Sequence, residues 1–206
     1  MHLFHPSLPH FLAVFDKDVP EVRRLLADPV VDALETMPGD VTALHVSALA
    51  NCAEAVPLLV AVGVAVDAPI GLDGSQVFST SSAVRQHSSG LFHALIACRG
   101  GTALGCPSCL LNPAVVAALL QAGASCGARD AAGYTPLGRV PICPVDLYSD
   151  AHIWVVERLL AAGADPLLPL TLRNQKTLLN DQHTAGLAMP HLMRQHQSSQ
   201  RQVDAG

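Results

Sequence analysis

A short apolar pattern recurs four times along this chain of 206 residues. Each copy has a valine followed three and four positions later by two more apolar residues, and three copies then end in a glycine. The copies are Val22, Leu25 and Leu26 with Pro29; Val56, Leu59, Val60 and Gly63; Val116, Leu119, Leu120 and Gly123; and Val156, Leu159, Leu160 and Gly163. Apolar residues at i, i+3 and i+4 share one face of an α-helix, which a glycine just past its end caps in the left-handed conformation. The pattern therefore predicts four similar helices in a stacked array, one in each of units 1 to 4.

The residues before these helices complete the unit. Thr42-Ala43-Leu44-His45 begins 21 residues before Gly63, and Gly133-Tyr134-Thr135-Pro136-Leu137-Gly138 opens unit 4. Together with the turn Ala162-Gly163-Ala164-Asp165, these residues resemble the ankyrin repeat over roughly residues 9 to 180. The resemblance implies an all-α, ankyrin-type helical repeat solenoid of about four repeats, plus a degenerate C-terminal one opening at Gln175-Lys176-Thr177-Leu178-Leu179. Threonine suits the N-cap of the first helix of a unit, and proline suits its first turn.

Extra residues interrupt the array. We expect an array over residues 1–183, with insertions near 69–89, 99–112 and 140–150, and a tail over 184–206 that is largely disordered at its end. Unit 3 allows two registers. Thr102 lies 21 residues before Gly123, as the pattern requires, but Gly105 and Pro107 would then fall in the first helix. We therefore favour the rival register, with the first helix at 91–98 and residues 99–112 looped out.

Composition agrees with a helical array of small apolar residues. Half of the residues are hydrophobic and only 4% are aromatic, and the mean hydropathy is +0.35. The longest strictly apolar run within the charge-free stretch 100–128 is Ala114–Leu120, well short of the ~18–20 residues of a membrane span. The N-terminus lacks the early positive charge of a signal peptide. We expect an intracellular protein, cytoplasmic or nuclear.

Charge and catalytic motifs exclude several classes of function. The net charge is −5, and no basic run exceeds Arg23-Arg24, so binding to nucleic acid is not expected. Ser75, Ser79 and Ser81 lie near His87, but no aspartate is placed to orient that histidine. We expect a non-catalytic monomer without a cofactor, which binds a protein partner of unknown identity and no membrane. A targeting subunit of a larger enzyme assembly, such as a ubiquitin ligase substrate receptor, stays open as an alternative.

The cysteines offer two other kinds of chemistry. Cys106 and Cys109 have dithiol spacing, but no strand precedes them and the next helix begins only at Pro113, so a redox site is not expected. Cys98, Cys106, Cys109 and Cys143 fall in matching regions of units 3 and 4, where four thiolates could hold Zn²⁺. Their spacing matches no standard zinc motif, so we expect no metal and keep a zinc-stabilised array as an alternative.

The resemblance also implies where a partner would bind. Ankyrin proteins usually contact partners through the turn tips and the concave face of the inner helices. The matching residues are Asp67, Arg129, Asp130, Tyr134, Arg139 and Asp165. The insertion at 69–89 is a further candidate, because long insertions in repeat proteins often lie on the binding side. His45 and Trp154 are expected to be structural, and Leu25, Leu59, Leu119 and Leu159 to be core residues.

Overall fold

The regular secondary structure of the described residues is α-helical. A computed structural model describes residues 9–37, 39–71, 101–106, 112–131, 133–140 and 150–165. The named helices are α1 (Pro9–Phe15), α2 (Val19–Leu26), α3 (Ala43–Ala50), α4 (Ala55–Ala61), α5 (Pro113–Gln121), α6 (Pro136–Arg139) and α7 (Asp150–Ala161). These ranges contain no β-strand, only an isolated antiparallel bridge between Met37 and Val41. The prediction of an all-α fold is confirmed for them.

The recurring apolar pattern forms the core. The first two residues of each copy are buried: Val22, Leu25, Val56, Leu59, Val116, Leu119, Val156 and Leu159. Seven of these eight residues have no exposed surface, and Leu25 is 5% exposed. The four helices that carry them contact one another in chain order, α2 with α4, α4 with α5, and α5 with α7. The helices that precede them also meet, α1 with α3.

Three of these helices end in the same glycine turn. Gly63, Gly123 and Gly163 have φ angles of +100°, +87° and +91°. In each turn the residue after the glycine donates its N–H to the carbonyl five residues earlier, at 3.1 Å from Val64 to Leu59, 3.0 Å from Ala124 to Leu119 and 2.9 Å from Ala164 to Leu159. This is the Schellman arrangement, which satisfies carbonyls at a helix end and needs a residue that adopts positive φ without strain. The predicted glycine caps are confirmed.

Polar caps define the helix starts. Thr42 and Thr135 both have extended backbone angles immediately before α3 and α6, and the Thr135 hydroxyl accepts from the Gly138 N–H at 3.2 Å. In unit 1, the Asp18 carboxylate accepts from the Glu21 N–H at 3.0 Å. Pro113 stands in the first turn of α5, where a missing N–H costs nothing. These local contacts set where each chain segment becomes helical.

Unit 3 takes the register that we did not favour. Thr102, Ala103, Leu104 and Cys106 are buried, and a helical turn begins at Gly105. The Gly105 N–H lies 3.0 Å from the Thr102 carbonyl, as the His45 N–H lies 3.0 Å from that of Thr42. Residues 101–106 are therefore not looped out, and the favoured register was wrong there. Gly105 lies at the start of this helical turn and does not prevent it, and Pro107 lies outside the described residues.

Several predictions concern residues outside the described ranges. These are the favoured first helix of unit 3 at 91–98, most of the insertions near 69–89 and 140–150, the fifth repeat opening at 175–179 and the tail over 184–206. Within the described ranges, no helix has the length and apolar character needed to cross a membrane.

Candidate functional site

The tip before unit 4 brings three of the predicted partner-binding residues together. Asp130 and Tyr134 close a hairpin turn, in which the Asp130 N–H donates to the Tyr134 carbonyl at 3.0 Å and the Tyr134 N–H donates to the Asp130 carboxylate at 2.9 Å. Gly133, at φ +84°, donates its N–H to the Asp130 carbonyl at 2.9 Å. The turn thus depends on the aspartate side chain as well as on the glycine.

Arg139 holds this turn against α6. Its guanidinium pairs with the Asp130 carboxylate and lies 4.6 Å from the centre of the Tyr134 ring. The Asp130 and Arg139 side chains are only 4% and 13% exposed. Their charges therefore mostly neutralise each other within the fold. The Tyr134 ring is half-buried, and the Arg139 guanidinium already lies over it. Sequence reasoning found these residues but not their mutual pairing.

The other three predicted residues are exposed. Arg129 donates to the Gly133 carbonyl at 2.8 Å from the solvent side of the same tip. The Asp67 carboxylate accepts from the Ser125 N–H at 2.9 Å and so joins the turn of unit 2 to that of unit 3. Asp165 lies two residues after Gly163, at the position that Ser125 occupies after Gly123. Asp67, Arg129 and Asp165 thus offer charge on the surface of successive turns.

A small pocket separates the tip from unit 3. It is partly open to solvent and is lined by Thr102, Gly105, Asp130, Tyr134, Pro136 and Arg139, among others. Asp130, Tyr134 and Arg139 line it, with Asp130 and Arg139 already paired to each other, and the Thr102 hydroxyl is buried behind its wall. The accessible wall is mainly apolar, with room for little more than a water molecule.

Two buried histidines lie on the N-terminal side. The Thr42 N–H donates to Nδ1 of His45 at 3.1 Å, and the Thr42 hydroxyl is 2.9 Å from the same nitrogen. Burial lowers the pKa of His45 to about 4. The backbone of Gly101 and Ala68 near the ring opposes part of that shift. Nε2 itself makes no well-formed hydrogen bond. The expected structural role of His45 fits this position.

His10 was not identified from the sequence. It is fully buried, and neither ring nitrogen has a hydrogen-bond partner. Burial lowers its pKa, while the carboxylates of Glu35 and Asp32 oppose that shift. Nothing in the local sequence distinguishes it, because its burial depends on tertiary packing, in which α1 contacts α2 and α3.

The remaining candidates concern the cysteines and the tryptophan. Cys106 is fully buried, whereas Cys98, Cys109 and Cys143 lie outside the described residues. Among the residues that the structure does describe, no three or more histidine, cysteine, aspartate or glutamate side chains are grouped to hold a metal ion. Trp154 is half-buried against the core, and the Arg158 guanidinium lies 5.1 Å from its ring centre.

Comparison with protein-family models found no match, and comparison with curated protein sequences found none either. The assignment of function therefore depends on the geometry of the chain itself.

Proposed function

We propose that this chain is an ankyrin-type helical repeat protein that binds a protein partner and catalyses no reaction. The observation that carries the proposal is the sequential contact of α2, α4, α5 and α7, each of which buries the same two apolar positions of the recurring pattern. An array built this way presents equivalent turns at regular intervals along one edge, a surface suited to an extended partner.

Contacts between successive turns support this reading. The Gly71 N–H donates to the Gly39 carbonyl at 2.8 Å, and the Ile70 N–H donates to the Gly101 carbonyl at 3.0 Å. With the bond from Ser125 to Asp67, these contacts connect the turn regions of units 1 to 3 side by side. Backbone bonding of this kind makes a rigid edge, so a partner would meet a preorganised surface.

The partner would contact the exposed charges on this edge. Asp67, Arg129 and Asp165 are exposed there, whereas Asp130 and Arg139 position the tip from within. Opposite charges at separate turns would fix the orientation of a partner more than they would increase its affinity. A protein segment with complementary charges along its length is the expected ligand.

Site-specific photo-crosslinking tests the proposal. A photoreactive residue at Arg129 is expected to capture a defined partner in cells, and one at Asp165 the same partner. Glu157 provides the matched control, because it is an exposed charged position within α7 rather than at a turn. Capture from Glu157 alone, or turnover of a substrate by the purified chain, would contradict the proposal.

A further inference from the structure

One core position of the array holds a histidine in unit 1 and a leucine in units 2 to 4. These leucines lie two residues after the threonine that begins each unit, and they are at most 3% exposed: Leu44, Leu104 and Leu137. Unit 1 aligns with unit 2 through the left-handed residues Lys17 and Asn51, at φ +59° and +56°. The residue seven positions before Asn51 is Leu44, and the residue seven positions before Lys17 is His10, which has no exposed surface.

The His10 ring makes no hydrogen bond that would explain a histidine at this position. Neither of its nitrogens has a partner. The other buried histidine, His45, meets the Thr42 hydroxyl through Nδ1 at 2.9 Å. Burying an imidazole with unpaired nitrogens is unfavourable, and burying it as a cation is more so. Unit 1 therefore carries, at a core position, a side chain whose charge changes near neutral pH.

The charged groups around His10 do not offset its burial. The carboxylates of Glu35 and Asp32, which follow α2, favour a charged ring, but burial outweighs them and lowers the pKa of His10. The titratable group on α3 is His45, whose own pKa is about 4. The charged side chains of α2 and of the turn before it are exposed or partly exposed: Asp16, Lys17, Asp18, Glu21, Arg23 and Arg24.

The position of α1 in the array allows it to open separately. Among the described helices, α1 packs against α2 and α3, whereas α3 packs against α1, α4 and α5. Lys17 joins α1 to α2 in a left-handed conformation, which lysine adopts less readily than the asparagine at the same place in unit 2. Opening at Lys17 would leave the contacts among α2, α4, α5 and α7 in place.

We infer that α1 is a pH-sensitive terminal element, which protonation of His10 releases from α2 and α3 while units 2 to 4 stay folded. In the open form the ring lies in water and binds a proton at the ordinary pKa of about 6.5. The closed form has a lowered pKa, so its stability is fully present above pH 6.5 and is lost as the pH falls. Release exposes Phe11 and Val14, which are buried in the closed form.

Amide hydrogen exchange of the full chain at pH 7 and pH 5, corrected for intrinsic exchange rates, tests this inference. The reporters are the Asp16 and Asp18 N–H groups, which donate to the carbonyls of Leu12 and Ala13 at 2.8 and 2.9 Å. At both pH values they should be less protected than the Ala124 N–H of unit 3. Their protection should fall several-fold on acidification, with about 25-fold as the limit for a closed ring that stays neutral.

Two variants separate local release from unfolding of the whole array. His10→Leu introduces the residue that units 2 to 4 carry at this position, so the protection of the Asp16 N–H should no longer depend on pH. His45→Gln is the matched control, because it removes the other buried imidazole and should leave the fall at Asp16 unchanged. A fall that persists in His10→Leu, or one that His45→Gln removes, would overturn the inference.

Two measurements on the parent chain alone are equally decisive. Equal protection of the Asp16 and Ala124 N–H groups would mean that α1 opens only when the whole array unfolds, which overturns local release. An NMR titration of the His10 ring with a midpoint at or above 6.5 would show that the closed form does not resist protonation, and this also overturns the inference. A lower midpoint, together with weaker protection at Asp16, supports it.

Discussion

Acidification should destabilise this protein through His45. Its ring is 1% exposed, and burial lowers its pKa to about 4. Protonation would also place a proton on Nδ1, which accepts the Thr42 N–H in the fold. The unfolded chain has no such constraint and binds a proton at the ordinary pKa of about 6.5. The contribution of His45 to stability is therefore fully present above pH 6.5 and is lost as the pH falls toward 4.

The size of the effect follows from the difference between these pKa values. A difference of about 2.5 units corresponds to about 3 kcal/mol once both states are protonated. Between pH 7 and pH 5 the expected loss is about 2 kcal/mol, because the unfolded state is then mostly protonated and the folded state mostly neutral. His10 is buried with a lowered pKa and contributes in the same direction.

Urea unfolding followed by circular dichroism at several pH values measures this loss. His45→Gln keeps a hydrogen-bond acceptor for Thr42 and cannot titrate, so its stability should fall about 2 kcal/mol less than that of the parent chain between pH 7 and pH 5. The comparison removes the contribution of His10, which both chains share. Identical pH slopes for the two chains would refute the reasoning. An NMR titration of the His45 ring in the parent chain with a midpoint near 6.5 would refute it as well, even if the variant did not fold.

Five further substitutions test the packing, the turns and the tip, each by the change in the free energy of unfolding in urea. Leu119→Ala should cost about 2–5 kcal/mol, because it leaves a cavity between α5 and its neighbours; a cost below 1 kcal/mol would contradict the core assignment. Gly123→Ala should destabilise the fold by about 1 kcal/mol, because the φ angle of Gly123 is +87°. Gly105→Ala should stabilise it by about 0.5 kcal/mol, because Gly105 lies at a helix start with open space around its Cβ position. Equal effects of the two substitutions would be inconsistent with their different backbone conformations. Arg139→Met should cost about 3 kcal/mol by removing the cation paired with the buried Asp130 carboxylate, and adding Asp130→Asn should recover part of that cost; no recovery would argue against the pair.

Sequence reasoning failed where one rule was applied too strictly. Gly105 and Pro107 led us to reject the register that starts at Thr102, although its 21-residue interval to Gly123 matched unit 2. A glycine is costly in a helix interior, but Gly105 lies at the start of the helical turn and does not prevent it. The spacing was therefore the more informative signal.

The helices of the recurring pattern and their glycine caps could be derived from the amino-acid sequence by itself. Both are local properties, since side chains three and four residues apart share a helix face and only glycine adopts positive φ without strain. The tertiary structure alone decided which polar groups are paired. Arg139 neutralises Asp130, the Asp67 carboxylate joins the turn of unit 3, and the Thr102 hydroxyl stays without a partner. These outcomes depend on distances between side chains brought together by packing, which no spacing along the chain specifies.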